Sequence, residues 1–273
     1  MNYVEKNEKV LKDWFQQYQE LGFTGDDFAE DGILLRGAFK WRENANHWYR
    51  EASGFENILW ANVPLRVLYL TKDQPSEECG AWDLREECYH DPNSNIHEYK
   101  LRRKFTFHRI LVYSLYGYYA STKGKRPSFD EVSSKKLEEE VVIVSDEFPF
   151  ARINCKKLVG TRSCPQDKLA EAISKDRDYL REQILSLDAD LIICCGNQHE
   201  DNAILNMLNE IGYHFEWTDK DSYDVYFDKN KQVAAIDSYH LSYTYGDKNH
   251  YKDLVTTWQA FLDKHPDFLS KRL

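Results

Sequence analysis

The chain alternates between short apolar runs and longer segments whose apolar residues recur every three or four positions, the respective signatures of strand and helix. Val10, Leu11, Trp14, Phe15 and Tyr18 share one helical side, which predicts a helix over residues 7–21 with Gly22 as its stop. The run RVLYL at 66–70 is short, continuous and β-prone, as a strand covered on both faces is. A long helix is expected over about residues 98–120 and a short strand over 147–153. Residues 165–187 form a strongly amphipathic helix, with Leu169, Ala172, Ile173, Leu180, Ile184 and Leu187 on its apolar side. LIICC at 191–195 reads as a strand and residues 200–211 as a helix. Residues 223–227 and 232–236 read as a strand pair around Lys229-Asn230, and 248–264 as a closing helix. Trp48-Tyr49 is placed in a second helix, and the stretch 121–137, rich in Lys, Ser, Gly and Pro, reads as an exposed excursion. Strands alternating with helices give an α/β fold, a three-layer sandwich with a largely parallel central sheet. With no repeat or linker in view, residues 1–60 are expected as an N-terminal helical elaboration packed on a main domain of residues 61–273.

Composition supports that core: hydrophobic residues make up 42% of the chain and aromatic residues 14%, sufficient for one large domain. No stretch approaches the roughly 18 consecutive apolar residues that span a bilayer. The charged start MNYVEKNEKVLKDW lacks the apolar segment of a secretory signal. A soluble, cytoplasmic protein without a membrane partner is expected. The formal net charge of -10 argues against coating nucleic acid by bulk electrostatics. Positive charge gathers locally at residues 100–104, at 123–126, and at Lys156, Lys157 and Arg162, although each cluster also reads as a solvated face or loop. Cys194-Cys195 ends an apolar strand, where a thiol serves as a small hydrophobe. Cys79, Cys88, Cys155 and Cys164 include no CxxC pair, so scattered reduced thiols are expected and no metal or other cofactor.

Three polar clusters then stand out. Thr71-Lys72-Asp73-Gln74-Pro75 follows VLYL, Asn154-Cys155-Lys156-Lys157 follows FARI, and His240-Leu241-Ser242-Tyr243 follows the VAAID strand. In an open α/β sheet the carboxyl ends of the strands face one crevice, so these clusters are expected to converge. Each residue also has a plainer reading. Asp73 is a natural turn cap, Asn154 can bond local backbone, His240 can sit at a loop edge, Trp82 can be core, and Gly196-Asn197 reads best as a strand-to-helix turn.

The order and chemistry of the clusters resemble the uracil-DNA glycosylase superfamily over about residues 64–262. Thr71-Lys72-Asp73-Gln74-Pro75 resembles its Gly-Gln-Asp-Pro-Tyr-like turn, Ile153-Asn154 its strand ending in a base-reading Asn, and His240-Leu241-Ser242 its His-Pro-Ser-like turn. The resemblance implies a uracil-DNA glycosylase-like fold and hydrolysis of the N-glycosidic bond of a flipped damaged or deaminated base, with single- or double-stranded DNA as partner. Asp73 would stabilise the sugar cation and orient water. His240 would donate to the departing base, as an oxyanion-hole donor does. Asn154 would match the uracil edge and reject cytosine. Trp82, or else Tyr89, would stack the flipped base, while Lys72, Lys156, Ser242 and Tyr243 would contact DNA. Leu241, Tyr243 and Tyr245 would enter the base stack. Pro75 stands where many relatives carry Tyr, and Leu241 where they carry Pro. These departures keep open a second reading, a catalytically inactive nucleic-acid- or nucleotide-binding module of the same fold. A third, an α/β hydrolase acting on a small molecule, has no Gly-x-Ser-x-Gly elbow to support it.

Overall fold

A computed structural model describes residues 2–34, 39–42, 47–50, 53–74, 80–86, 106–160, 163–196, 202–218 and 225–272. Four parallel strands form the centre of the sheet: β4 (Val67–Thr71), β5 (Phe150–Asn154), β6 (Leu191–Gly196) and β9 (Val233–Tyr239). They lie in the order β5-β4-β6-β9. The short β1 (Gly32–Ile33) adds antiparallel to β5 at one edge. β8 (Val225–Asp228) and β7 (Glu216–Trp217) add antiparallel beyond β9 at the other. The result is an α/β fold with a seven-stranded mixed sheet, parallel in its centre.

Both faces of the sheet are covered, which explains why its central strands read as continuous apolar runs rather than alternating ones. On one face, Val67, Tyr69, Phe150, Leu191, Ile193 and Ile236 pack against three helical segments. These are α3 (Thr106–Thr122), α5 (Glu138–Glu147) and the C-terminal pair α8 (Asp247–Tyr251) and α9 (Thr257–Lys264). On the other face, Leu68, Leu70, Ile153, Ile192 and Ala235 pack against α1 (Tyr3–Glu20), α6 (Gln166–Leu187) and α7 (Ala203–Glu210). A π turn, Lys252–Thr256, joins α8 to α9. It meets α3 at Gly117, where an added Cβ would lie 2.4 Å from a methyl of Val255.

Three expectations are corrected. Trp48-Tyr49 lies in β3 (His47–Arg50), paired antiparallel with β2 (Phe39–Arg42), and not in a helix. Aromatic residues favour strands once a partner strand is present. The segment 121–137 is no simple excursion, because α4 (Phe129–Val132) buries Val132 completely. Residues 1–60 are not merely a helical elaboration: they supply an edge strand of the main sheet, the β2-β3 pair and most of α2 (Glu56–Asn62). The expected long helix begins at Thr106 within the described residues, whereas residues 98–105 lie outside them. Among the described residues, no helix is long and apolar enough to cross a membrane.

One buried polar assembly ties these layers together. The Asp31 carboxylate and the Lys157 ammonium are both wholly inaccessible and lie 2.5 Å apart. Asp31 also accepts from the Gln183 amide (2.8 Å) and from the backbone N–H of Asn154 (2.8 Å). Its own carbonyl accepts from Asn7 (2.8 Å), which in turn accepts from Gln183 (2.9 Å). The start of the edge strand, α1, α6 and the segment after β5 are thus joined at one residue, Asp31. Gly32 fits here because an added Cβ would stand 2.4 Å from the Asn7 amide. Burial pushes the Lys157 ammonium below its ordinary pKa, against the pull of Asp31.

Removing one partner of such a pair strands the other charge in the interior, at a typical loss of about 3–5 kcal/mol. Lys157→Met is therefore expected to lower the urea-unfolding free energy by that amount. Adding Asp31→Asn to it should recover part of the loss. A decrease no larger than the roughly 1 kcal/mol of an exposed pair would contradict the assignment.

Candidate functional site

The four parallel strands run in chain order 2-1-3-4, so the topological switch point lies between β4 and β6. Ligands of open α/β sheets bind at the carboxyl ends of the strands beside that point. All three polar clusters are at that end, because each directly follows the carboxyl terminus of a parallel strand.

β4 and β5 run in register, pairing Tyr69 with Arg152 and Thr71 with Asn154. Alternation along the strands puts Thr71, Arg152 and Asn154 on the face that α3 covers. Thr71 and Asn154 are fully buried. The Thr71 hydroxyl lies 2.5 Å from Asn154 Oδ1 and 3.3 Å from the Ile153 carbonyl, and Arg152 Nε donates to it at 3.4 Å. Asn154 Nδ2 is buried without a hydrogen-bond partner. A buried donor left in that state typically costs about 1–3 kcal/mol, so it calls for an acceptor.

His240, one residue past β9, joins the same face through Phe107 at the start of α3. The Phe107 ring centroid is 5.6 Å from the His240 ring, and the Arg152 guanidinium sits 4.4 Å over Phe107. The backbone N–H of Ser242 donates to His240 Nδ1 at 3.4 Å, and the Ser242 hydroxyl lies 2.7 Å from the same nitrogen. An N–H can only donate, so Nδ1 is the acceptor and the ring proton resides on Nε2. Burial, and then the positive charges of Arg152, Lys72 and His250, lower the His240 pKa from 6.5 to about 4. The imidazole is neutral at pH 7, with Nε2–H as its donor.

Asp73 belongs to a neighbouring cluster. Its carboxylate takes a hydrogen bond from Lys156 Nζ at 3.0 Å, and the same ammonium bonds the Leu158 carbonyl at 2.8 Å. Gly160 packs so closely that an added Cβ would meet Asp73 Oδ2 at 2.1 Å. Burial, and then the Asp73 charge, push the nearby Cys164 thiol up to about 11. Lys72 is half-buried at the same strand end. Asp73 and Asn154 therefore sit at adjacent strand ends, but the polar partner of Asp73 is Lys156 rather than Asn154 or His240.

Trp82 is brought to the β4 end by a side chain that sequence reasoning passed over. Gln74, almost wholly buried, donates to the Trp82 carbonyl at 3.1 Å and accepts from its N–H at 3.0 Å. Arg85 fastens the same segment, bonding Asp83 at 2.7 Å, Glu30 at 2.6 Å and Glu8. Trp82 is 37% exposed, so it is not a core residue.

Beyond β9 the expectations divide. Leu241 is completely buried in the hydrophobic core, which removes it from any role inside a DNA stack. Tyr243 is half exposed and stacks on Tyr239 with centroids 4.8 Å apart, and Tyr245 stands beside them. The Ser242 hydroxyl is engaged by His240. Arg152 and Phe107 were missed; the visible signal for Arg152 is a cation inside the otherwise apolar FARIN strand. Cys155, Cys194 and Cys195 are buried, and no group of three or more potential metal ligands occurs among the described residues. Pro75, Cys79, Cys88, Tyr89, residues 100–104, Arg162 and Asn197 lie outside the described residues.

The electrostatics give a direct test. In a nitrogen-detected NMR titration, His240 should hold the Nε2–H tautomer and stay neutral down to pH 5, with its inflection near 4. An inflection at or above the unperturbed value of about 6.5 would refute the neutral assignment. No family model matches the chain, and no curated protein matches its sequence.

Proposed function

We propose that the chain is a divergent uracil-DNA glycosylase-like protein that binds an oxo-pyrimidine base at the carboxyl ends of its parallel strands and hydrolyses the N-glycosidic bond. The observation that carries this reading is the buried, unpartnered amide donor of Asn154, on the same sheet face as the neutral imidazole of His240. Both groups offer N–H donors, and an oxo-pyrimidine offers two carbonyl acceptors. The strands that carry them are three spacings apart, about 14 Å at ~4.8 Å each. Phe107 and Arg152 lie on this face between them. When the glycosidic bond breaks, negative charge passes to the base. The neutral Nε2–H of His240 would donate to the carbonyl oxygen on which that charge gathers. Asp73, at the adjacent strand end, supplies the carboxylate that offsets positive character on the sugar. Trp82 provides the exposed ring against which a flipped base stacks.

The Lys156–Asp73 contact favours the second reading, a binding module without catalysis. A carboxylate already paired with an ammonium offers less net negative charge to a sugar cation. Incubation with uracil-containing single- and double-stranded oligonucleotides separates the two. Glycosylase activity predicts abasic sites, with His240→Ala slowing their formation by roughly 10²–10³-fold and Asp73→Asn also impairing it. Binding module alone predicts salt-dependent retention of the oligonucleotide and no abasic sites. Neither retention nor abasic sites would sink both.

A further inference from the structure

We propose that Thr71 is the specificity-determining residue of the base site: it fixes the orientation of the Asn154 amide so that only N–H donors face the ligand. This inference rests on the base-binding reading, which places Asn154 against the base. An Asn amide is nearly symmetric in shape, and turning it by half a rotation exchanges a donor for an acceptor. A site that distinguishes a carbonyl from an amino group at one position of a pyrimidine must therefore hold the amide in one of its two orientations. Nothing in Asn154 itself does so.

The bonds around Thr71 do. Arg152 Nε–H has no lone pair and can only donate, so at 3.4 Å it uses one lone pair of the Thr71 oxygen. The single Thr71 proton must then go to a carbonyl oxygen, either Ile153 at 3.3 Å or the Asn154 side chain at 2.5 Å. The shorter contact decides. In the structure Asn154 Oδ1 faces the hydroxyl, and a hydroxyl that must donate requires an acceptor there. The atom beside the hydroxyl is therefore the amide oxygen, and Nδ2 is turned away from it. That outward nitrogen is the buried donor without a partner. The sequence Arg152 → Thr71 → Asn154 thus runs donor to acceptor in one direction, and it begins at a permanent cation.

The backbone of Asn154 is fixed independently, by its N–H bond to Asp31 at 2.8 Å and by its register opposite Thr71 in the sheet. Removing the Thr71 hydroxyl should consequently free the amide to turn without moving the residue that bears it. The ligand class that follows is a base with a ring carbonyl where Asn154 meets it, in preference to the analogue with an exocyclic amine there.

Titration calorimetry with uridine and cytidine, on the full chain, tests this. The wild type is expected to bind uridine at least about tenfold more tightly than cytidine, the scale of one satisfied against one unsatisfied buried hydrogen bond. Thr71→Val preserves shape and removes the hydroxyl. It should bring the two affinities to within about threefold, mainly by strengthening cytidine binding, as expected when a turned amide satisfies the amine. Thr71→Ser should restore the discrimination. Asn154→Asp, which replaces the outward donor with an acceptor, should favour cytidine. Thermal unfolding of each variant identifies any that fails to fold, and the remaining ones decide. Persistence of the uridine preference in Thr71→Val, or equal binding of both nucleosides by the wild type, overturns the role of Thr71 and leaves base binding standing. No binding of either nucleoside by the folded wild type overturns base binding itself.

Discussion

The architecture depends on one buried ion pair. Asp31 and Lys157 are 126 positions apart in sequence and meet where water cannot reach. Two charges in such a place are a net burden unless geometry and further hydrogen bonds compensate their lost hydration. Here they do: the two carboxylate oxygens receive the ammonium, an amide and a backbone N–H. Two of the donors come from the end of β5 and the turn after it, and the third from α6. α6 and the turn after β5 converge on the carboxylate, and α1 joins them through the Asp31 carbonyl and Gln183. The same carboxylate holds the main chain of Asn154, so the stability of the fold and the geometry at the strand ends share a single origin.

Much of the architecture was legible because burial on both faces leaves an unmistakable trace. RVLYL and LIICC are short, continuous and rich in strand-favouring residues, as central strands are, and the amphipathic pattern of 165–187 matches Gln166–Leu187 closely. What escaped is what depends on partners. The β2-β3 pair is a strand only because each segment finds the other, and nothing periodic in the sequence announces that meeting. Leu241 sits beside His240 in a polar cluster, yet it enters the core while Ser242 stays exposed. Gln74 looked like a loop residue, but both ends of its amide bond the main chain at Trp82.

The strand-end positions of the candidate residues were legible, but the contacts among them were not. Asp73, Asn154 and His240 do follow parallel strands, as the polar clusters implied. The charge relations among them were invisible. Lys156 is 83 residues from Asp73 in sequence and adjacent to it in space. Arg152 interrupts an apolar strand, a visible anomaly whose meaning emerges only when Phe107 and Thr71 are found around it. An acidic chain thereby keeps a locally positive strand end, and that local field, added to burial, keeps His240 neutral.

The Gln74 amide bonds both the N–H and the carbonyl of Trp82, as a neighbouring strand would. These two bonds hold the loop at its main chain and do not themselves depend on which ring stands at position 82. A different aromatic there would inherit the same mounting, so the surface offered at this end of the sheet can change its chemistry over evolutionary time while the scaffold beneath it remains as it is.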